Sequence, residues 1–483
     1  MSAPFADFLA RSRSSILDDE SPVTGSELVE TGTSLAATWG ETGLRPGERV
    51  GLWLPNGHRY LETLAACAVG GFVAVSVNTR WSRAEVDDLL GRSGAVLLRT
   101  ADGEERLASG VQPLTAGADN DQPFLVFTTS GTTSRPKMVL HGQQSIVEHA
   151  LDAGRACGYG PDRPVLAAMP LCGVFGLTSF TAALATDAPI VMPSAIDPPE
   201  IASLIEQRRI WALNASDDLF HRLLATDRDL SSLRLGGYAR FNTSLDGIVA
   251  RAAERGMNLT GLYGMSEVQA LFSLRDPTAP LDQRQRAGGT VVSAKARARV
   301  VDDELQVRGS SLFSGYLTEG GEAVDAALTA AHFTDDGWFR TGDLASMDEP
   351  VDGRDTFTYR TRMGDGLRLG GFLVAPAEIE AAIVGYPGVD GAQVVAVDRP
   401  TGARPVAFVT GTSPDDGAFD EAAIIDHCRS QLARYKVPVR VIPINAFPTT
   451  ASANGTKIQR VKLREMALAA LHSEDATGRR RRS

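Results

Sequence analysis

The sequence predicts an α/β fold: a large N-terminal domain with parallel sheets flanked by helices, a small β-barrel-like subdomain, and a small α+β domain at the C-terminus. Three observations lead there. Strand and helix signals alternate from about residue 49 to residue 259. Short β-rich pieces take over after about residue 285. After Arg362 the composition restarts with a glycine-rich stretch, followed by its own set of helices and strands.

The alternation can be followed element by element. RVGLWLP (49–55) is apolar enough to be a buried strand, and HRYLETLAACAVGG (58–71) reads as a helix stopped by glycines. FVAVSVN (72–78) is the next strand, SRAEVDDLLGRS (82–93) a helix with a serine cap, and AVLLRT (95–100) a strand again. VLAAMP (165–170), PEIASLIEQRRI (199–210) and SLDGIVARAAERGMNL (244–259) continue the pattern. Such β-α-β succession implies parallel strands covered by helices on both faces. The segment TVVSAKARARVVDDELQVRG (290–309) suggests the barrel-like piece. Helix PAEIEAAIVGY, strands AQVVAVD and PVAFVT, and helix FDEAAIIDHCRSQLARY then make a compact C-terminal unit. The expected domains are therefore 1–362, 363–470 and a basic tail, 471–483, expected to be disordered.

Bulk properties exclude several classes. A chain of 483 residues with 43% hydrophobic and 22% charged residues is long and apolar enough for two or more cores. Its net charge of −11 argues against a nucleic-acid partner. The run Arg479 to Arg482 is read as a solvated end rather than a binding patch. Cys67, Cys157, Cys172 and Cys428 lie far apart without a C-x-x-C pair, which fits a reduced compartment and offers no zinc site. MSAPFADFLARSRSS lacks an apolar core of signal-peptide length, and the apolar run near 177–192 carries Asp187 and Pro189, so no membrane span is expected. A cytoplasmic enzyme is the expectation, with a homodimer left open.

The most informative stretch is FTTSGTTSRPK (127–137). An apolar strand runs into Thr129, Ser130, Gly131, Thr132 and Thr133, and Lys137 closes the segment after Pro136. Many hydroxyl and N–H donors with almost no bulk allow such a loop to wrap a polyphosphate, and Lys137 adds a point charge. The phosphate loop G-x-x-x-x-G-K-[ST] does not fit, because no second glycine precedes Lys137 and Met138 follows it. Taken alone, the stretch also reads as a serine/threonine-rich surface turn.

Four further segments follow in order: LYGMSE (262–267), WFRTGD (338–343), RMGDGLRLGGFLVAPAEIE (362–380) and NGTKIQR (454–460). Together with the threonine-rich loop, the series resembles the adenylate-forming superfamily of acyl-CoA synthetases, peptide-synthetase adenylation domains and beetle luciferases. The resemblance spans nearly the whole chain. It implies carboxylate activation: an acid attacks the α-phosphate of ATP to give acyl-AMP and pyrophosphate, and a thiol then displaces AMP.

By that resemblance, Thr129 to Lys137 hold the β- and γ-phosphates, although Ser134 stands where glycine is usual. Ser266, in place of the more frequent threonine, meets the α-phosphate, and Glu267 binds Mg²⁺. Tyr263, with Gly264 and Met265 in the same turn, offers an aromatic face to adenine. Asp343 accepts the ribose hydroxyls, and Arg362 contacts ribose or phosphate. Lys457 enters the site from the C-terminal domain and bridges the acyl carboxylate and the α-phosphate. Gly370 and Gly371 line the thiol tunnel once that mobile domain has rotated, and Gly364 is the pivot, where aspartate or lysine is common. Read in isolation, YGMSE is a tight turn before a helix, Asp343 a turn-stabilising carboxylate and Lys457 an exposed loop lysine.

The acid pocket departs most from the family. MPLCGVFG (169–176) matches a segment that usually reads PLFH, so Cys172 and Gly173 replace an aromatic and a histidine and should enlarge the cavity. Counting back from Tyr263 places Ala239, Arg240 and Phe241 at the turn that faces adenine and acid. Arg240 either meets an anionic group of the substrate or is a surface arginine. No aspartate stands where amino-acid-activating relatives hold an ammonium group. The resemblance thus implies an acyl-CoA synthetase using ATP, Mg²⁺ and CoA on a bulky apolar or aromatic carboxylic acid. The rivals are a one-half-reaction enzyme that makes or consumes an acyl-adenylate with a partner, and a non-catalytic homologue.

Overall fold

The computed structural model describes all residues except 1–2, 20, 108–110, 116–120, 130–135, 241–246, 364–365, 370–371, 375, 398–402, 412–418, 453–454 and 481–483. Its strands begin where the apolar runs do. Arg49–Trp53, Val73–Ser76, Ala95–Thr100 and Pro123–Thr128 are parallel neighbours in a sheet of seven strands among the described residues. The helices between them are closed by the predicted residues. Helix Arg83–Ser93 opens on a reciprocal cap, in which the Ser82 N–H donates to Glu85 Oε2 at 2.7 Å and Ser82 Oγ accepts from the Glu85 N–H. Helix His58–Gly70 stops at Gly71, which adopts φ +68°, a conformation that costs glycine little.

The second sheet has 13 strands among the described residues. Its parallel part runs through Leu259–Met265, Leu235–Ala239, Ala212–Ser216, Val165–Leu166, Ile190–Val191 and Ser15–Leu17. Beyond Leu259–Met265 the sheet turns antiparallel, through Gln269–Leu274, Gly288–Val291, Arg354–Arg362, Phe339–Val351, Glu304–Arg308 and Arg297–Val301. The β-rich pieces expected to form a barrel-like unit are thus an open extension of the large sheet. Gly289 pairs with Phe357 and so fuses the late strands to the parallel core. The helix expected in 244–259 runs over Ile248–Glu254, since Gly256 at φ +76° breaks it after Glu254.

Helices packed between the sheets carry the core. Trp39, Tyr60, Phe124, Phe180 and Phe220 are fully buried there, each stabilising the fold by ~2–3 kcal/mol through removal from water. The C-terminal unit has its own core. Strands Gly391–Val397, Arg404–Thr410 and Arg440–Pro443 carry helices Pro376–Val384 and Glu421–Gln431. The final helix runs from Arg460 to Arg480 and is anchored by Arg460 on the fully buried Glu380, 3.1 Å away. Leu471 packs with Leu463 and Ala467 against Val395, Val397 and Phe408, so position 471 belongs to this core rather than to a tail. No helix among the described residues is long and apolar enough to cross a membrane.

Candidate active site

The candidate residues of the large domain include two that follow parallel strands, Thr129 after Pro123–Thr128 and Ser266 after Leu259–Met265, the side of such sheets where a crevice is usual. Strand Pro123–Thr128 delivers Thr129, and the returning strand Met138–Gly142 begins beside Lys137. Two bonds close the mouth of the intervening loop: the Thr129 N–H donates to the Lys137 carbonyl at 3.0 Å, and the Lys137 N–H to Thr129 Oγ1 at 3.1 Å. Ser130, Gly131, Thr132 and Thr133 lie outside the described residues.

Strand Leu259–Met265 ends in the second motif. Gly264 sits in the register shift between Tyr263 and Met265, and a Cβ there would lie 2.5 Å from Ala270 Cα and 2.7 Å from the Gln269 carbonyl, so only glycine fits. The hairpin is strained on its other arm, where Gln269 and Leu271 adopt φ +64° and +58°. Its neighbours hold it. His141 donates Nε2–H to the Ser266 carbonyl at 2.7 Å, His149 does the same for Ala270 at 2.7 Å, and the Phe313 N–H donates to the Glu267 carbonyl at 2.9 Å. Burial pushes the His141 imidazole down to about 4, so it is neutral when it donates.

Glu267 is buried, and Tyr316 donates its hydroxyl to Oε1 at 2.8 Å. The Lys137 ammonium lies 4.6 Å from the centre of the same tyrosine ring and 2.9 Å from His332 Nε2. Partial burial lowers the Lys137 pKa, opposed by the charge of Glu267 and reinforced by that of Arg362. A cation, a carboxylate and a third charged group therefore share one small region, the electrostatic layout that suits a metal–polyphosphate ligand.

The third group is centred on Asp343, 3% exposed on strand Phe339–Val351. Arg362, its register partner on the next strand, donates from one guanidinium nitrogen to Oδ1 at 2.9 Å, and Tyr263 donates its hydroxyl to Oδ2 at 2.5 Å. Burial, followed by the charge of Asp343, raises the Tyr263 pKa well above the usual phenol value. The expectation for Tyr263 meets a different geometry here. Its ring is 6% exposed, edge-on to Phe357 and tilted against Tyr359, and its hydroxyl braces the carboxylate.

The acid-pocket residues are less tightly gathered. Cys172 is buried, and Gly173 caps the buried helix Val174–Leu184. Burial pushes the Cys172 thiol up to about 11, so it behaves as a small apolar wall. Ala239 ends strand Leu235–Ala239 and Arg240 follows it, both half-buried, while Phe241 lies outside the described residues. Lys457 pairs with Thr450 in the ribbon of Thr449–Ser452 and Gly455–Ile458, and its side chain lies outside the described residues. Gly364, Gly370 and Gly371 lie outside them as well. Among the described residues no cluster of three or more His, Cys, Asp or Glu side chains forms a metal cage. A lone buried carboxylate such as Glu267 still suits Mg²⁺, which keeps waters and takes phosphate oxygens.

The sequence reading missed Tyr316, His332 and His141. Each is distant in sequence from its partner in the site, and none belongs to a spacing that stands out by itself.

Comparison with known proteins agrees with this architecture. The family model of AMP-binding enzymes matches residues 10–317, and the model of their C-terminal domain matches residues 378–454. A feruloyl-CoA synthase from Amycolatopsis is 30% identical over 473 residues, covering 89% of this chain and 91% of its own. A 2-succinylbenzoate–CoA ligase from Listeria monocytogenes is 27% identical, covering 92% and 94%. In fold, the chain superposes on ATP-bound MatB from Rhodopseudomonas palustris with a TM-score of 0.81 at 24% identity, covering 96% and 99%. These matches, on the geometry above, establish that the chain belongs to the AMP-binding enzymes of the adenylate-forming superfamily.

Proposed function

We propose that this protein is an AMP-forming acyl-CoA synthetase that activates a bulky apolar or aromatic carboxylic acid and passes the acyl group to CoA. The observation that carries the reading is the convergence of Lys137, Glu267, Tyr316, Asp343 and Arg362 from separate stretches of chain on one charged cluster. Relatives named for ferulate and 2-succinylbenzoate supply the acid class. Cys172 and Gly173, small where the family is bulky, leave room for such an acid.

In this reading Lys137 and the loop from Thr129 hold the β- and γ-phosphates, and Ser266 contacts the α-phosphate. Asp343 accepts the ribose hydroxyls beside Arg362, with Tyr263, Gly264 and Met265 forming the wall of the nucleotide site. Glu267 would hold Mg²⁺, which supplies charge neutralisation on the phosphate oxygens. Lys457 approaches from the C-terminal unit and draws the acid carboxylate toward the α-phosphorus. An oxygen–phosphorus bond then forms as pyrophosphate leaves. The CoA thiolate next attacks the acyl carbon, a carbon–sulfur bond forms and AMP departs. Gly370 and Gly371 leave space for the thiol arm after the lid, residues 363–470, turns about Gly364. Ala239, Arg240 and Phe241 border the acid. The four cysteines are free and buried, in keeping with a cytoplasmic setting.

A panel of cinnamic, benzoic and bicyclic acids, assayed by hydroxamate capture without CoA and by thioester formation with it, tests the proposal. Both products from at least one bulky acid are expected. Adenylate without any thioester would leave a one-half-reaction enzyme, and neither product together with no ATP binding would leave a non-catalytic homologue.

A further inference from the structure

His332 has a defined tautomer. Its Nδ1 lies 2.9 Å from the Leu328 carbonyl, an acceptor only, so Nδ1 carries the proton and Nε2 presents a lone pair. The only group meeting that lone pair among the contacts described is the Lys137 ammonium at 2.9 Å, which has only donors. The ring is fixed on its other sides, lying parallel to Phe339 at 6.4 Å and edge-on to Tyr316 at 5.1 Å. The backbone of Lys137 is pinned to Thr129 at both N–H and carbonyl. Its long stem is thus held at both ends, with the ammonium over the Tyr316 ring and, among the contacts of the described residues, one of its N–H groups engaged by a hydrogen bond. A free lysine stem loses rotamer freedom when it docks, and here part of that loss is already met before ATP arrives.

We infer that His332 is a positioning residue for nucleotide binding: its neutral imidazole holds the Lys137 ammonium where the polyphosphate is received. The inference rests on the reading of Lys137 as a phosphate ligand. Replacing His332 with phenylalanine keeps the ring stack and removes the acceptor, whereas glutamine restores an acceptor near the place of Nε2.

The test is the ATP dependence of acid-driven ATP–pyrophosphate exchange in four variants of the full chain, with melting temperatures measured alongside. H332F should raise the KM for ATP roughly fivefold to tenfold, the worth of about one ordinary hydrogen bond felt through Lys137, with a smaller change in kcat. H332Q should return KM to within about twofold of the parent. K137A should raise KM at least as far as H332F, and H332F added to K137A should change it no further. CoA thioester formation from supplied acyl-adenylate should be unchanged in H332F. An unaltered KM in H332F while K137A raises it overturns the inference. Additive effects in the double variant do so too, because His332 would then act without Lys137. A K137A variant with the parent KM overturns the phosphate reading beneath it, and a melting temperature that falls in H332F and not in H332Q with KM following it in both assays marks a folding role instead.

Discussion

The two halves of the proposed site are built in different ways. In the large domain each charged group is braced by a neighbour from another element or turn: Tyr316 on Glu267, Tyr263 and Arg362 on Asp343, His332 on Lys137. In the C-terminal unit, Lys457 rides on a two-stranded ribbon whose neighbours Ile458 and Phe447 pack against that unit's own core. On the proposed reading the first half is a receptor for a nucleotide, with its dipoles set before reaction. The second contributes a group on a separately folded body. Such a division lets one body serve two steps in turn, at the cost of depending on its placement.

Removing Lys457 breaks the comparison most severely. Lys457→Ala should slow adenylation by about 10²–10³-fold, the usual cost of losing one charged donor at a developing charge. Thioester formation from supplied acyl-adenylate should stay within about threefold of the parent, because that step does not use the large negative charge of the triphosphate. Separate half-reaction assays read both. Equal loss in the two would place Lys457 in a structural role.

Stiffening the connection gives a smaller, more selective effect. Gly364→Pro fixes φ near −65° at the expected pivot. We expect roughly a tenfold larger loss in thioester formation than in adenylation, since only the former follows the turn. Matching losses would show that the pivot lies elsewhere.

The mildest prediction concerns the receptor half. Because His141 is held at about 4 in the folded protein and returns to its ordinary value near 6.5 on unfolding, the unfolded chain binds more protons between those values. Stability should therefore fall as pH drops from about 6.5 toward 4, and the direction is the same for His149. His141→Gln keeps a donor for the Ser266 carbonyl and should flatten this acid limb by about 1–3 kcal/mol in urea titrations. An unchanged limb would mean that His141 is already solvated.

Much of this was legible in the sequence, for reasons that differ by region. The run from Arg49 to Thr100 was readable because each strand and helix is specified locally, by apolar period, by Ser82 with Glu85, and by Gly71 and Gly94. The late strands misled, since a barrel-like piece and an open extension have the same local pattern. What separates them is the pairing of Gly288–Thr290 with Thr356–Thr358, a long-range choice made by packing. At the site, the motif residues were visible because their types are unusual in their places. Their braces were not, because a lone histidine 195 positions from its lysine has no spacing to betray it. Tyr263 shows the same limit in reverse: its presence was evident, but its burial and its bond to Asp343 depend on strands a further 80 residues on.

The crowding at Gly264 has a consequence for descent. A methyl group there would meet main-chain atoms of the facing arm, and main chain has no rotamer by which to step aside. Even the smallest inherited change at this codon would pry the two arms apart and carry off the carboxylate three residues further on. Lineages that keep the chemistry are bound to keep this one absence of a side chain.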